Sequence, residues 1–304
     1  MFISNSRDFI PRKIAGEVNE AIGAVTEADL RGWIKWLSVP RHFIAQPEAN
    51  HEAGSWIAGM FAGWGYEVQR QGPFSNIIAL PRHAGAGTML VGAHYDSVPS
   101  TPGADDNASA VAAMLACAKI CSSLSSPPNI CFAAFNREED NLAGSRDFVD
   151  HFLPDADFTV TIAHILEMVG YASSEPGSQR IPEKLPVRIP SVGDFIGLLA
   201  NRDSSRQADE VLMTARSYLP DFPALNLKVA MGFERFFPVL GRSDHAPFWD
   251  AGIPAIMWTD TSEFRNPHYH LPSDTPDTLD YEFLTNVTKL LCAHIFSTGT
   301  RSAS

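Results

Sequence analysis

Val91-Gly-Ala-His-Tyr-Asp-Ser97, followed by Gly103-Ala-Asp-Asp-Asn107, sets one imidazole beside several carboxylates. The apolar run Thr88 to Ala93 leads straight into it and reads as a buried strand, so these side chains emerge together at a sheet edge. The pattern is half of a metal site. Three later stretches can supply the other half: Asn136-Arg-Glu-Glu-Asp140, Leu166-Glu-Met-Val169 and Pro267-His-Tyr-His-Leu-Pro-Ser-Asp-Thr275.

Working outward, two more apolar runs, Asn129 to Phe135 and Phe158 to Leu166, alternate with helical patterns at Asn107 to Cys121 and Asn141 to Phe152. That alternation predicts a single α/β domain over residues 1–304, with a mixed, mostly parallel central sheet and helices on both faces. Each run ends in chemistry: the first at His94, the second at Glu138-Glu139, the third at Glu167. Open α/β sheets carry their functional crevice at the carboxyl ends of the strands, so these groups can converge.

Upstream, Thr26 to Leu37 has a capping start and an amphipathic pattern, and a second helix follows Pro47 and stops at Gly65. Tyr66 to Arg70 and Ser75 to Leu80 read as a strand pair. Asp106 is placed to cap the Ala-rich helix. Residues 171–240 read as an insertion flanking the cleft, with a Pro-rich start, helices at Gly193 to Ala200 and Ser204 to Tyr218, and a strand at Leu227 to Ala230. A short helix from Ser243, a strand at Pro254 to Trp258 and a helix at Asp280 to Phe296 close the chain.

Composition narrows the function. A formal charge of -12 without a Lys/Arg block argues against nucleic acid, and a positively charged substrate group such as a free peptide amine is better tolerated. Cys117, Cys121, Cys131 and Cys292 lack the spacing of a disulfide framework or a thiolate zinc site and read as small buried residues. No stretch has the ~20 apolar residues of a membrane span. The first ten residues lack a signal-peptide core, so the expected location is cytoplasmic.

A mixed set of imidazoles and carboxylates is what a borderline or hard divalent cation prefers. His94 and Asp96 are two apart, so one can ligate while the other orients it, and His270 with Asp274 could repeat that logic. Taken alone, His94 reads as a structural histidine; with Asp106, Glu139, Glu167 and His270 at successive strand ends, the metal reading prevails. Adjacent carboxylates at 138 and 139 can divide the work, one holding metal and the other acting as general base. His164, inside a strand, reads as a core residue.

Gly92-Ala-His-Tyr-Asp-Ser97, Gly103-Ala-Asp-Asp-Asn-Ala-Ser109, Glu138-Glu139 with Leu142-Ala-Gly-Ser145, Leu166-Glu-Met-Val-Gly170, Ser243-Asp-His-Ala-Pro-Phe248 and Tyr269-His270 with Asp274-Thr275 together resemble the co-catalytic zinc exopeptidases. That family includes bacterial leucine aminopeptidases, glutamate carboxypeptidases and glutaminyl cyclases, and the resemblance covers roughly residues 45 to 295, in the family's order. It implies a zinc aminopeptidase-like fold and two Zn2+, although such ligands also accept other divalent ions. It further implies that Asp106 bridges, with His94 and Glu167 on one ion and Glu139 and His270 on the other. Glu138 would be the general base, the phenol of Tyr269 would stabilise the tetrahedral intermediate, and the Asp106-Asn107 peptide would be cis. His270 matches the pattern better than His268, and His245 is placed near the substrate or as a helix-start structural residue. Glu167 stands where many aminopeptidases of the family carry Asp.

The expected activity is removal of an N-terminal residue from a peptide or aminoacyl substrate. A carboxypeptidase would need a basic pocket, for which Arg180, Arg202, Arg206, Arg216, Arg235 and Arg242 are available. A glutaminyl cyclase would need one zinc. A non-catalytic binding module is opposed by the competent residues at every ligand position.

Overall fold

A computed structural model describes residues 1–85, 87–182, 185–229 and 232–299. In chain order the elements are β1 (Phe2–Asn5), α1 (Gly16–Gly23), α2 (Glu27–Leu37), α3 (Pro47–Gly63), β2 (Val68–Gln71) and β3 (Asn76–Ala79). There follow β4 (Gly87–His94), α4 (Ala110–Ser123), β5 (Ile130–Phe135), α5 (Ala143–Asp147), β6 (Thr159–Glu167) and β7 (Ile196–Ala200). The chain ends with α6 (Ser205–Tyr218), β8 (Ala224–Lys228), α7 (His245–Asp250), β9 (Ala255–Thr259) and α8 (Tyr281–Gly299).

The strands form one sheet in the order β1-β8-β7-β9-β6-β4-β5-β3-β2. Its centre, β9-β6-β4-β5, is parallel, while β2, β3 and β1 pair antiparallel toward the edges and β7 pairs antiparallel with β9. A strand covered on both faces can be apolar throughout, and all of Ile130–Phe135 is buried. Alternation then divides the sides: Val91 and Ala93 join the larger core, whereas Leu90 joins the smaller one.

The larger core holds residues of α1, α2, α3, α4, α6 and α8. Its centre is α4, whose alanines allow close approach of the sheet and of α2 and α8. Among the described residues, the opposite face carries α5, α7 and short turns, packed through Phe148 and Phe248. Leu199, Leu227 and Met257, which do not join the larger core, line a cleft on this side of the sheet.

Three expectations need correction. Residues 193–200 do not form a helix: Ile196–Ala200 is β7, paired with β8 and β9. A five-residue apolar run is too short to show a helical period, and it gains more as a buried strand. Residues 171–240 are consequently not a simple insertion, since they supply β7, α6 and β8; the last of these covers 224–228, and Ala230 lies outside the described residues. Asp106 does not cap α4, which begins at Ala110 behind a wide turn over Ala104–Ser109. Asp106 is non-helical there (φ -102°, ψ 86°), and its carboxylate turns into the site. All four cysteines are free and buried, as the sequence leads one to expect.

Candidate metal centre and active site

Four adjacent strand ends carry the chemistry. His94 closes β4, Glu138 and Glu139 follow β5, Glu167 closes β6, and His270 lies in the loop after β9. Asp106 enters from the turn before α4. Asn107 clamps the neighbouring chain, donating from Nδ2 to the Leu166 carbonyl at 3.0 Å and accepting the Met168 N–H at 2.9 Å, which fixes the backbone on both sides of Glu167. The Asp106-Asn107 peptide is cis.

The five side chains predicted as ligands meet. His94 Nε2 lies 3.3 Å from Asp106 Oδ1 and 3.4 Å from Glu167 Oε2; His270 Nε2 lies 3.1 Å from Asp106 Oδ2 and 3.4 Å from Glu139 Oε1. Ligand atoms ~2.0–2.2 Å from a tetrahedral cation stand ~3.3–3.6 Å apart, so these spacings suit coordination. Both nitrogens of His94, Asp106 Oδ1 and Glu139 Oε1 are buried without a hydrogen-bond partner. Such atoms are costly to bury unless something else pairs with them, and a cation would. Since Asp106 turns one oxygen to each histidine, the set can hold one ion on either side of it. Simple proximity also groups Glu138 with His94 and Glu167, all within 4.8 Å.

Buried carboxylates hold this set in place. Asp96 accepts the backbone N–H groups of Glu138 (3.1 Å) and Glu139 (3.3 Å), and its Oδ1 lies 3.4 Å from His94 Nδ1. Asp274 does not orient His270 as its spacing suggested. It accepts the N–H groups of Asp105 (2.9 Å) and Asp106 (3.1 Å), holding the turn that presents the central carboxylate. Ser243, which sequence reasoning gave no role, donates to Glu167 Oε2 at 2.6 Å.

So many charges in a buried space perturb one another. Burial opposes protonation of His94, but Glu167, Glu138, Asp106 and Asp96 outweigh it and push the imidazole well above its usual range. His270 likewise rises to about 10 because Asp106 and Glu139 outweigh burial. Burial raises Glu138 well above the carboxylate range, reinforced by Glu167, Glu139 and Asp244, and takes Glu139 up to about 7. Asp106 is held low: burial works against ionisation, but both histidines favour the carboxylate.

The remaining histidines stand apart. His245 is buried at the start of α7 with Nε2 2.8 Å from the Leu240 carbonyl, the structural half of its expected roles. His164 is a core residue that accepts from Trp258 Nε1 at 3.1 Å. His268 faces Ser273, with Nδ1 3.0 Å from its hydroxyl. Tyr269 stacks on His270 with ring centroids 3.7 Å apart and lines the cleft beside the centre. The cleft has a volume of about 510 Å³ and runs from Asp106, Glu138 and Glu167 toward an apolar arm.

A sheet whose parallel strand ends gather two imidazoles and four carboxylates around one cleft is the frame of a metallohydrolase. The sequence profile of peptidase family M28 matches residues 76–295, and the chain belongs to that family. It is 33% identical over 257 residues to YfbL of Escherichia coli, covering 78% of this chain and 77% of that protein. It is also 33% identical over 211 residues to the aminopeptidase YwaD of Bacillus subtilis, covering 68% of this chain and 40% of YwaD. LapA of Legionella pneumophila, a solved aminopeptidase structure, shares the fold with a TM-score of 0.74 at 20% identity, over 94% of this chain and 75% of that one. No described helix is long and apolar enough to cross a membrane.

Proposed function

We propose that the protein is a metal-dependent aminopeptidase, with His94 and Glu167 holding one zinc ion, Glu139 and His270 a second, and Asp106 shared between them. The observation that carries this reading is the pair of Asp106 oxygens, each turned to a different His–Glu pair at coordination distance. Divalent cations held there would supply Lewis acidity toward the scissile carbonyl and the attacking water. Proximity alone would also allow Glu138 as a ligand. We assign it instead as general base, because Asp106 already completes both sets.

In this role Glu138 takes a proton from the attacking water and delivers it to the departing amine. Burial and the neighbouring carboxylates raise the Glu138 pKa in the metal-free site, and cations held beside it would counter that rise and favour the carboxylate that a base requires. The Tyr269 hydroxyl accepts from Arg242 Nη2 at 3.0 Å, and since arginine can only donate, the phenolic proton is free to reach the developing oxyanion. Burial, together with Asp106, raises the phenol pKa and keeps that proton in place.

Charge at the cleft favours an amine over a carboxylate terminus. Arg242 is paired with the Glu263 carboxylate, Arg180 donates to the Glu263 backbone carbonyl, and Arg146 lies 3.4 Å from Asp250. Arg202, Arg206 and Arg216 are not among the lining residues, and the side chain of Arg235 lies outside the described residues. The carboxylates around the metal centre remain to hold a free α-amine of a peptide or aminoacyl substrate. The name of the Bacillus relative supports the same choice.

The test is a panel of free and N-acetylated aminoacyl anilides with wild type and Glu138→Gln, alongside elemental analysis. Free substrates should be cleaved and acetylated ones spared, with two zinc ions per chain. Glu138→Gln should keep its zinc and lose ~10²–10⁴-fold in kcat. Equal cleavage of acetylated substrates would remove the aminopeptidase reading, and full activity in the variant would remove the general base.

A further inference from the structure

Sheet register defines the floor of the apolar arm. Glu167 pairs with Thr259, Thr259 with Gly197, and Gly197 with Leu225. Two residues along, Met257 pairs with Leu199, Leu199 with Leu227, and Leu227 with Ile3. Paired residues on neighbouring strands face the same side, and all of these line the cleft. With strands ~4.8 Å apart, the floor extends ~19 Å from the strand of Glu167 to that of Ile3. That exceeds the reach of a leucine or phenylalanine side chain anchored at the metal centre. Gly197 has no side chain to close the passage between Thr259 and Leu225.

The cover is apolar as well. Leu185, Val187 and Ile189 line the cleft while Pro186, Arg188 and Pro190 are exposed, so an extended strap turns alternate side chains inward. Among the described residues, charged lining residues are confined to the metal centre, the Arg180–Glu263–Arg242 cluster and Arg146. The floor's strand backbones are already paired within the sheet. Beyond Thr259 the floor turns only Leu225, Met257, Leu199, Leu227 and Ile3 into the cleft, so a peptide laid on it would meet no hydrogen-bond partner from the floor, a cost that hydrocarbon does not incur.

From this we infer that the arm binds a long unbranched hydrocarbon chain carried by the residue whose α-amine is held at the metal centre. The substrate class is then an amide of an amino acid with a lipid-like side chain. The inference deepens the aminopeptidase reading and rests on it for the hydrolysis, but not for the binding.

The experiment uses anilides of straight-chain 2-amino acids, from butyl to decyl side chains, with calorimetric binding of the corresponding free amino acids to the full chain. Both kcat/KM and affinity should rise roughly threefold to fourfold per buried methylene across the series. Ile3→Trp, which narrows the far end, should lower the decyl-to-butyl ratio at least tenfold, and Ile3→Asp should lower it by placing a charge there. A decyl compound no better than butyl in either measurement overturns the inference. If leucine anilide is cleaved with no gain along the series, the arm fails while the peptidase stands. If no anilide is cleaved but long amino acids bind more tightly than short ones, the peptidase fails while the arm stands.

Discussion

Arg242 donates to the Tyr269 hydroxyl at 3.0 Å while its other guanidinium nitrogen engages Glu263. The phenol is thus held from its acceptor side, with its proton directed away from the guanidinium. In its proposed role as oxyanion donor Tyr269 would act chiefly in the transition state, so Tyr269→Phe should lower kcat by ~10²-fold and change KM little. Arg242→Leu should lower kcat less, because the phenol remains but is no longer held. Steady-state kinetics on the single and double variants should show strong non-additivity, with Arg242→Leu adding almost nothing once the hydroxyl is gone.

The protonation pattern gives the metal-free protein an unusual pH dependence. His270 is raised from its ordinary 6.5 to about 10, so the stability it contributes is complete below pH ~6.5 and is lost as pH rises through about 10. Glu139, raised to about 7, acts in the same direction between its ordinary range and pH 7. The melting temperature of chelator-treated protein should therefore fall as pH rises from 5 to 10. Zinc should remove much of that fall, because a cation replaces the lost protons, and loading at pH 7 should release protons to buffer. A flat profile for the chelated protein would contradict this arrangement of charges.

How much of this was readable beforehand depended on distance along the chain. His94, Glu138-Glu139 and Glu167 were legible because each directly follows an apolar run, and a strand end is where an α/β sheet exposes chemistry. β7 was not legible, since Ile196–Ala200 is too short to display a period and its strand character comes from pairing with β8 and β9. The work of Asp274 was hidden for another reason: its oxygens meet amides 168 and 169 residues away, whereas the sequence displays only the nearby His270. The bond from Ser243 to Glu167 likewise bridges 76 residues with no local signal.

Asp96 should separate metal affinity from folding. Its two oxygens accept from two successive backbone amides while one also faces His94. An asparagine offers a single acceptor oxygen, so Asp96→Asn must leave one of those amides without its carboxylate partner and weakens the support of the imidazole. Zinc affinity should fall ~10–100-fold, as measured by competition with a chromogenic chelator. Restored activity at high zinc would show that the variant keeps its fold and has lost ligand orientation.

Gly103 tests the backbone beneath Asp106. It has φ of +62°, and an added Cβ would stand 2.3 Å from the Asp106 carbonyl oxygen and 3.1 Å from Arg41 Nη1. The buried Arg41 side chain cannot easily yield, because it donates to the carbonyls of Tyr95 (2.6 Å), Leu37 (2.9 Å) and Gly103 itself (3.0 Å). Gly103→Ala should therefore move the turn that carries Asp106 as well as strain its own residue. Stability should fall by ~1–3 kcal/mol in denaturant titration. If Asp106 is shared between two ions as proposed, retained zinc should drop for both together. Gly65→Ala is the control: it also has positive φ (+83°), but its added Cβ meets nothing within 4 Å. It should cost stability of similar order and leave zinc content unchanged, so equal zinc loss in the two variants would show that the effect at Gly103 is general unfolding and not displacement of Asp106.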